Sequence, residues 1–258
     1  MLSNYNIDDA RKKLSSSNIV CITMDIDWAS EYVIKSTVEY FTKLGIPLTI
    51  FCTHPSNYLA NLKSDPIIDL GIHPNFIQPS SQGKNIEDII QYCIDIVPDA
   101  RAFRCHRWYA CNDIYDILYK KGFRYESNIC TMFDVVPPFI HRSGMISFPV
   151  FFEDGAFIFH DFDLNFNSTK MQFDKMGLKV INIHPMHFML NTPYFKYTRD
   201  IKDRLTREEW NNMDEVTVSK LNYNGKGITD YIKSLIEYSY KANAEFVTLK
   251  NIYNMIMN

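Results

Sequence analysis

The chain has 258 residues, 46% of them hydrophobic and 22% charged, proportions that suit a globular protein with a sizeable core and exclude a disordered chain. Its net charge of -3 supplies no basic field for nucleic acid, and no window approaches the roughly 18 apolar residues of a membrane span. Residues 1–17 lack the apolar stretch of a secretory signal, and six cysteines that never form a C-x-x-C pair suit reduced thiols in a cytoplasmic protein.

In chain order, residues 19–25 form an apolar strand that stops abruptly on Asp25 and Asp27. The next segment places Ile34, Val38, Phe41 and Leu44 on one helical face and closes at Gly45, a residue suited to the left-handed cap. Strands are expected at 47–52 and 67–72, the second running into His73, with a poorly defined segment at 58–64 between them. Asn85 can cap a helix whose first turn holds Glu87 and Asp88, where acids meet the positive end of the dipole. A short strand at 102–104 ends on Arg104, Asn112 caps a further helix, and Gly122 stops it. Strands at 146–152 and 178–183, a helix at 227–241, a strand at 246–249 and a short final helix complete the pattern. Residues 191–226 are polar, charge-rich and aperiodic, the mark of an inserted lid or a disordered connection in an otherwise single domain spanning 1–258.

Strands alternating with helices imply parallel pairing, because parallel neighbours need crossovers. The expected fold is α/β, a distorted (β/α) barrel of about seven mostly parallel strands with the active site at their C-terminal ends. Asp25, Asp27, His73, Arg104 and His184 all fall at such ends. On an extended strand Asp25 and Asp27 would point to one face, and two adjacent carboxylates ionise cheaply only beside a cation. An isolated Asp-x-Asp can equally hold a turn, and a lone His is often structural; their shared location favours a metal-dependent hydrolase. Arg104 suits a bidentate grip on a carboxylate, with Asp25 its natural recipient. Cys105 has no His–acid pair arranged to make it a nucleophile. Glu153-Asp154 and His160-Asp161-Phe162-Asp163 read as turns or as acids that orient a histidine. His54 and His141 read as structural.

The order of these signals resembles the polysaccharide deacetylase family, also called the NodB-homology domain or carbohydrate esterase family four. Thr23-Met24-Asp25-Ile26-Asp27 is similar to its first motif with one residue inserted, Gly71-Ile72-His73-Pro74-Asn75 to its second, and Arg104-Cys105-His106-Arg107 to its third. Residues 122–128 resemble the segment that follows, 148–154 the weak fourth motif, and Asn182-Ile183-His184 the fifth. The phrases around His73 and His184 most resemble the WbmS-type branch, found in surface-polysaccharide and O-antigen loci.

The resemblance implies Asp25 as general base, Asp27 and His73 as ligands of a divalent metal, Arg104 holding Asp25, and His184 as general acid steadied by Asp154 or Asp161. The second motif's other histidine falls on Ile77, so a third ligand is needed. His106 is the candidate and His54 the runner-up. Mixed N and O ligands suit Zn2+. Trp28, Asn75, Arg107 and Trp108 are the candidates for binding the substrate, with Tyr109 beside them; aromatic rings there could stack on pyranose faces. The function implied is removal of an N-acyl group from an amino sugar of a surface polysaccharide. The alternatives are hydrolysis of a formamide or ureide on the same scaffold, and noncatalytic sugar binding. The oligomeric state is left open.

Overall fold

The computed structural model describes residues 6–258, so positions 1–5 of the 1–17 stretch and of the expected domain lie outside it. Helix α1 (Ile7–Ser15) precedes strand β1 (Asn18–Asp25), which is buried from Ile19 onward because neighbours flank it and side chains cover both faces. Helix α2 (Glu31–Lys43) starts where Ser30 Oγ accepts the amide of Val33, and Gly45, at φ +73°, ends it as the sequence predicts. Strand β2 (Leu48–Cys52), helix α3 (Asn57–Leu62), strand β3 (Ile68–Ile72) and helix α4 (Ile86–Ile96) follow, the last capped by Asn85. Next come β4 (Ala102–Phe103), a 3-10 turn (His106–Trp108), α5 (Asn112–Lys120) and β5 (Tyr125–Glu126). The cap position of α5 is Cys111, with Asn112 already inside the helix.

The second half holds β6 (Phe139–Ile140), β7 (Ile146–Ser147), β8 (Val150–Glu153), α6 (Asp154–Phe159), β9 (Gly177–Ile183) and α7 (Pro185–Leu190). Helices α8 (Phe195–Lys202), α9 (Arg207–Asn211) and α10 (Glu215–Leu221) then lead to α11 (Ile228–Lys241), β10 (Glu245–Phe246) and α12 (Leu249–Met257). The sheet runs β6-β7-β5-β4-β3-β2-β1-β9-β8, with β10 also beside β1, and only the β6–β7 pair is antiparallel. It curls into a half-barrel. With β10 the sheet has ten strands, three more than the expected seven: β5 and β6 are two residues long, too short to show a period, and the single strand expected at 146–152 is broken at Phe148-Pro149 into β7 and β8.

That break carries the chain across the barrel. Phe148 N still bonds Glu126 O, beside β5, whereas Val150 already pairs with Val180 of β9. Residues 146–153 therefore run from one side of the curled sheet to the other.

Side-chain alternation divides the strands into two faces. The outward set packs under the surrounding helices in one large core. The inward set is apolar at the N-terminal end, where Ile19, Cys21, Phe51, Ala102, Tyr125, Phe148 and Val180 meet Leu14 of α1 and Leu249, Ile252 and Ile256 of α12. Toward the C-terminal ends the same rows continue as Thr23 and Asp25, His73, Arg104, and Asn182, all buried and polar. The stopper of α1 and α12 closes one end and leaves the polar end for chemistry.

The aperiodic stretch 191–226 is folded. Its three helices have only eight, five and seven residues, too few to reveal a period. Trp210, Met213 and Val218 are buried, and Ser30 Oγ bonds Met213 O at 2.6 Å. Asn191 ties the two ends of the excursion, its Oδ1 accepting from Thr229 N and its Nδ2 donating to Tyr223 O and Gly225 O. No helix among the described residues is long and apolar enough to cross a membrane, and all six cysteines are free thiols.

Candidate active site

Asp25 ends β1 and is 3% exposed. One oxygen accepts from Arg104 Nη1 at 3.0 Å and the other from Asn182 Nδ2 at 2.8 Å. Burial opposes the carboxylate, but Arg104, with His73 and His184 behind it, outweighs burial and holds the carboxyl below its usual range. Arg104 is fully buried, and each of its three nitrogens donates. Nε reaches Ser127 O at 2.7 Å and Nη2 reaches Ser127 Oγ at 2.7 Å, while Nη1 also serves Thr23 Oγ1 at 2.9 Å and Asn182 Oδ1 at 2.6 Å. Its plane lies over Phe51, 4.5 Å from the ring centroid. Phe51 fits there because Gly71 stands beside it: a Cβ on Gly71 would meet Phe51 Cδ1 at 2.8 Å and Ala102 O at 2.9 Å. Ser127 and Asn182 carry no role in the sequence reading, although Asn182 lies one strand period before His184 and so faces inward with it.

Asp27 does not extend β1 as expected. It lies beyond the strand at φ 38°, followed by Trp28 at φ 56°, and this left-handed pair curls the chain back over the barrel mouth. Asp27 Oδ1 lies 3.2 Å from His73 Nε2 and 3.1 Å from His106 Nδ1. Burial opposes its ionisation, yet the neighbouring imidazoles, His106 foremost, keep the carboxyl well below the usual range. One ligand atom from each of Asp27, His73 and His106 lies within 4.8 Å of the others. His73 is 1% exposed, and neither ring nitrogen makes a hydrogen bond among the described residues. A buried imidazole whose nitrogens make no hydrogen bond costs free energy. A cation shared with Asp27 and His106 would satisfy Nε2, so this donor set fits a divalent ion. His54, the runner-up ligand, is engaged elsewhere: Nδ1 lies 2.8 Å from Thr53 Oγ1 and Nε2 lies 3.1 Å from Ala29 O.

His184 follows β9 and is fixed from behind. Its Nδ1 donates to Asp154 Oδ1 at 2.6 Å and its backbone amide to Asp154 Oδ2 at 2.8 Å. Burial disfavours the imidazolium, but Asp154, fully buried beside it, prevails and raises His184 well above its ordinary value. Nε2 faces the site, 3.9 Å from Asp25 Oδ2, 3.8 Å from Asp27 Oδ2 and 4.0 Å from Glu153 Oε1. Asp161 does not contribute: it lies past α6 in a left-handed turn and is exposed. The acid that orients His184 is Asp154. His187, pushed down to about 4 by burial, bonds Thr192 Oγ1. Glu153, which the sequence offers only as part of an acid pair, reaches the mouth of the site, and burial lifts its carboxyl to about 7.

The expected substrate contacts are placed unevenly. Trp28 stands edge-on to His106 with ring centroids 5.3 Å apart, and Trp108 lies 5.5 Å from the Arg104 guanidinium. Arg107 and Tyr109 are exposed. Asn75 is committed to its own turn, its Oδ1 accepting from Ile77 N and its amide donating to Gln82 Oε1.

The family model of WbmS-like polysaccharide deacetylases matches residues 22–201, which include every side chain of this constellation. The chain belongs to that family. The crystal structure of a Bordetella bronchiseptica protein, WbmS, described as a polysaccharide deacetylase involved in O-antigen biosynthesis, shares the fold. Its TM-score is 0.75 at 24% identity, covering 85% of this chain and 90% of that one. A Mycobacterium smegmatis polysaccharide deacetylase is less similar, with TM-score 0.48 and 12% identity over 94% of this chain and 91% of its own. No curated protein matches the sequence.

Proposed function

We propose that this deacetylase-family protein is a metal-dependent hydrolase that removes an N-acetyl group from an amino sugar, in a cytoplasmic step of surface-glycan assembly. One observation carries the reading. A depressed carboxylate, Asp25, and an imidazole with a raised pKa, His184, face each other at 3.9 Å beside the Asp27–His73–His106 donor set. Environments that push an acid and a base apart in this way assign their roles. The O-antigen setting of the Bordetella relative supports the glycan context.

Asp27, His73 and His106 would hold the cation, with N and O donors suited to Zn2+. When bound, it supplies Lewis acidity, acidifying water and polarising an acyl carbonyl. Asp25, kept ionised by Arg104, takes the proton of the attacking water at its carboxylate. Asn182, the second donor to Asp25, fixes the direction of that oxygen. His184, charged and oriented by Asp154, delivers its Nε2 proton to the departing nitrogen. The test is acetate release from a panel of N-acetylated sugars by zinc-loaded protein, with metal content measured in parallel. Acetate release that disappears with Asp27→Ala, together with the bound metal, is expected; stoichiometric metal with no acetate from any sugar would overturn the reading.

A further inference from the structure

Glu153 ends β8 and begins α6, and its two carboxylate oxygens have different fates. Oε2 accepts the amide of Ala156 at 3.0 Å and so caps the helix. Oε1 accepts no hydrogen bond among the described residues and lies 4.0 Å from His184 Nε2, although the residue is only 9% exposed. Two residues on, Gly155 has no side chain: a Cβ there would come within 2.9 Å of Glu153 Oε1 and 3.7 Å of His184 Cε1. Bare backbone thus leaves room around an unused acceptor at the point where His184 meets its substrate.

Resting on the deacetylase reading above, we propose that Glu153 is a specificity-determining residue: Oε1 accepts the N–H of the scissile amide, so that the site hydrolyses N-acyl groups in preference to O-acyl esters. The nitrogen that takes the His184 proton must come within hydrogen-bond distance of Nε2. From there it is also within reach of Oε1. An amide nitrogen keeps its hydrogen while the carbonyl carbon becomes tetrahedral, and its lone pair becomes basic only then. With N–H directed to Glu153, that lone pair is left facing His184. An ester oxygen has no hydrogen to offer and sets its lone pairs against the carboxylate, and a site built to accept a hydrogen bond discriminates strongly against a ligand that cannot donate it.

Glu153→Gln is the test. The glutamine keeps the α6 cap only by giving its carbonyl to Ala156 N, which turns its NH2 toward the substrate and replaces an acceptor with a donor. On zinc-loaded protein, the ratio of kcat/KM for an N-acetyl sugar to that for its O-acetyl counterpart should fall roughly 10- to 100-fold, the range for a hydrogen bond to a charged group. The unfolding midpoint should stay near that of the wild type. An unchanged ratio, with both activities lost equally or both retained, overturns the proposal. A readout independent of turnover is a wild-type crystal soaked in acetamide: the amide nitrogen against Glu153 Oε1 supports the assignment, and acetamide bound with its nitrogen directed elsewhere refutes it. If the wild type releases acetate from no N-acetyl sugar, the functional reading fails separately, and the soak still reports on Glu153.

Discussion

Replacing Arg104 with methionine keeps much of the side-chain volume and removes every donor around Asp25 except Asn182 Nδ2. Ser127 O, Ser127 Oγ, Thr23 Oγ1 and Asn182 Oδ1 lose their guanidinium contacts at the same time. Breaking a buried ion pair from one side costs about 3–5 kcal/mol, because the remaining charge is stranded. For a chain of this size that is a fall in unfolding midpoint of roughly 6–20 °C. The pH dependence identifies the cause. In the wild type the Asp25 carboxyl lies below its usual value, so its contribution to stability is complete above about pH 4 and is lost as pH falls through the lowered value. In Arg104→Met burial acts without its main opponent and raises the same carboxyl, so the penalty grows as pH rises above about 4. Urea unfolding of both proteins between pH 3 and 8 should give a stability difference that is widest near neutrality and narrows toward the acid end. A loss below about 1 kcal/mol, or one that does not vary with pH, would refute the assignment of Arg104 as the group that keeps Asp25 charged.

Asp154→Asn removes the charge that raises His184, so the imidazolium should lose its proton at lower pH and the alkaline limb of kcat/KM should move down; an unmoved limb would show that Asp154 only positions the ring. His73→Ala should abolish stoichiometric metal by elemental analysis, whereas Asp25→Asn should retain it and lose about 100-fold or more in turnover, the share typical of a general base. Metal retained by His73→Ala would remove that residue from the ligand set. Gly71→Ala forces a methyl group against Phe51 and Ala102 O and should cost about 1–3 kcal/mol in thermal or urea unfolding, as overpacked cores do; an unchanged midpoint would mean that Phe51 yields freely.

Most of the barrel could be read from the sequence because its long strands are apolar on both faces and end on residues that no core accepts unpaired. Asp25, His73, Arg104 and His184 announce themselves by that contrast. What escaped notice lacks such a contrast. Asn182 is hidden inside the burial pattern of β9, and Ser127 follows a strand of two residues. Glu153 and Asp161 sit in similar-looking acid clusters eight residues apart in number, and only the course of α6 separates them, leaving Glu153 at the mouth and Asp161 in solvent. Asp27 reached the expected place by an unexpected route, through two consecutive left-handed residues. The helices of 191–226 were invisible for want of length, since burial of Trp210 and Met213 depends on distant partners such as the carbonyl contact of Ser30.

The strand that switches sides at Phe148-Pro149 has a consequence for how activity is acquired. Phe148 O accepts from Ser127 Oγ at 2.7 Å, and Ser127 in turn receives two of the Arg104 donors. The hinge of the ring is therefore linked through Ser127 to the guanidinium that lies against Asp25. A chain that has formed its strands and helices but not joined that seam keeps the Arg104 contacts to Thr23, Asp25 and Asn182 yet lacks the bond that fixes Ser127 behind the guanidinium. On the proposed roles, the last support behind Arg104 is set only when the barrel closes.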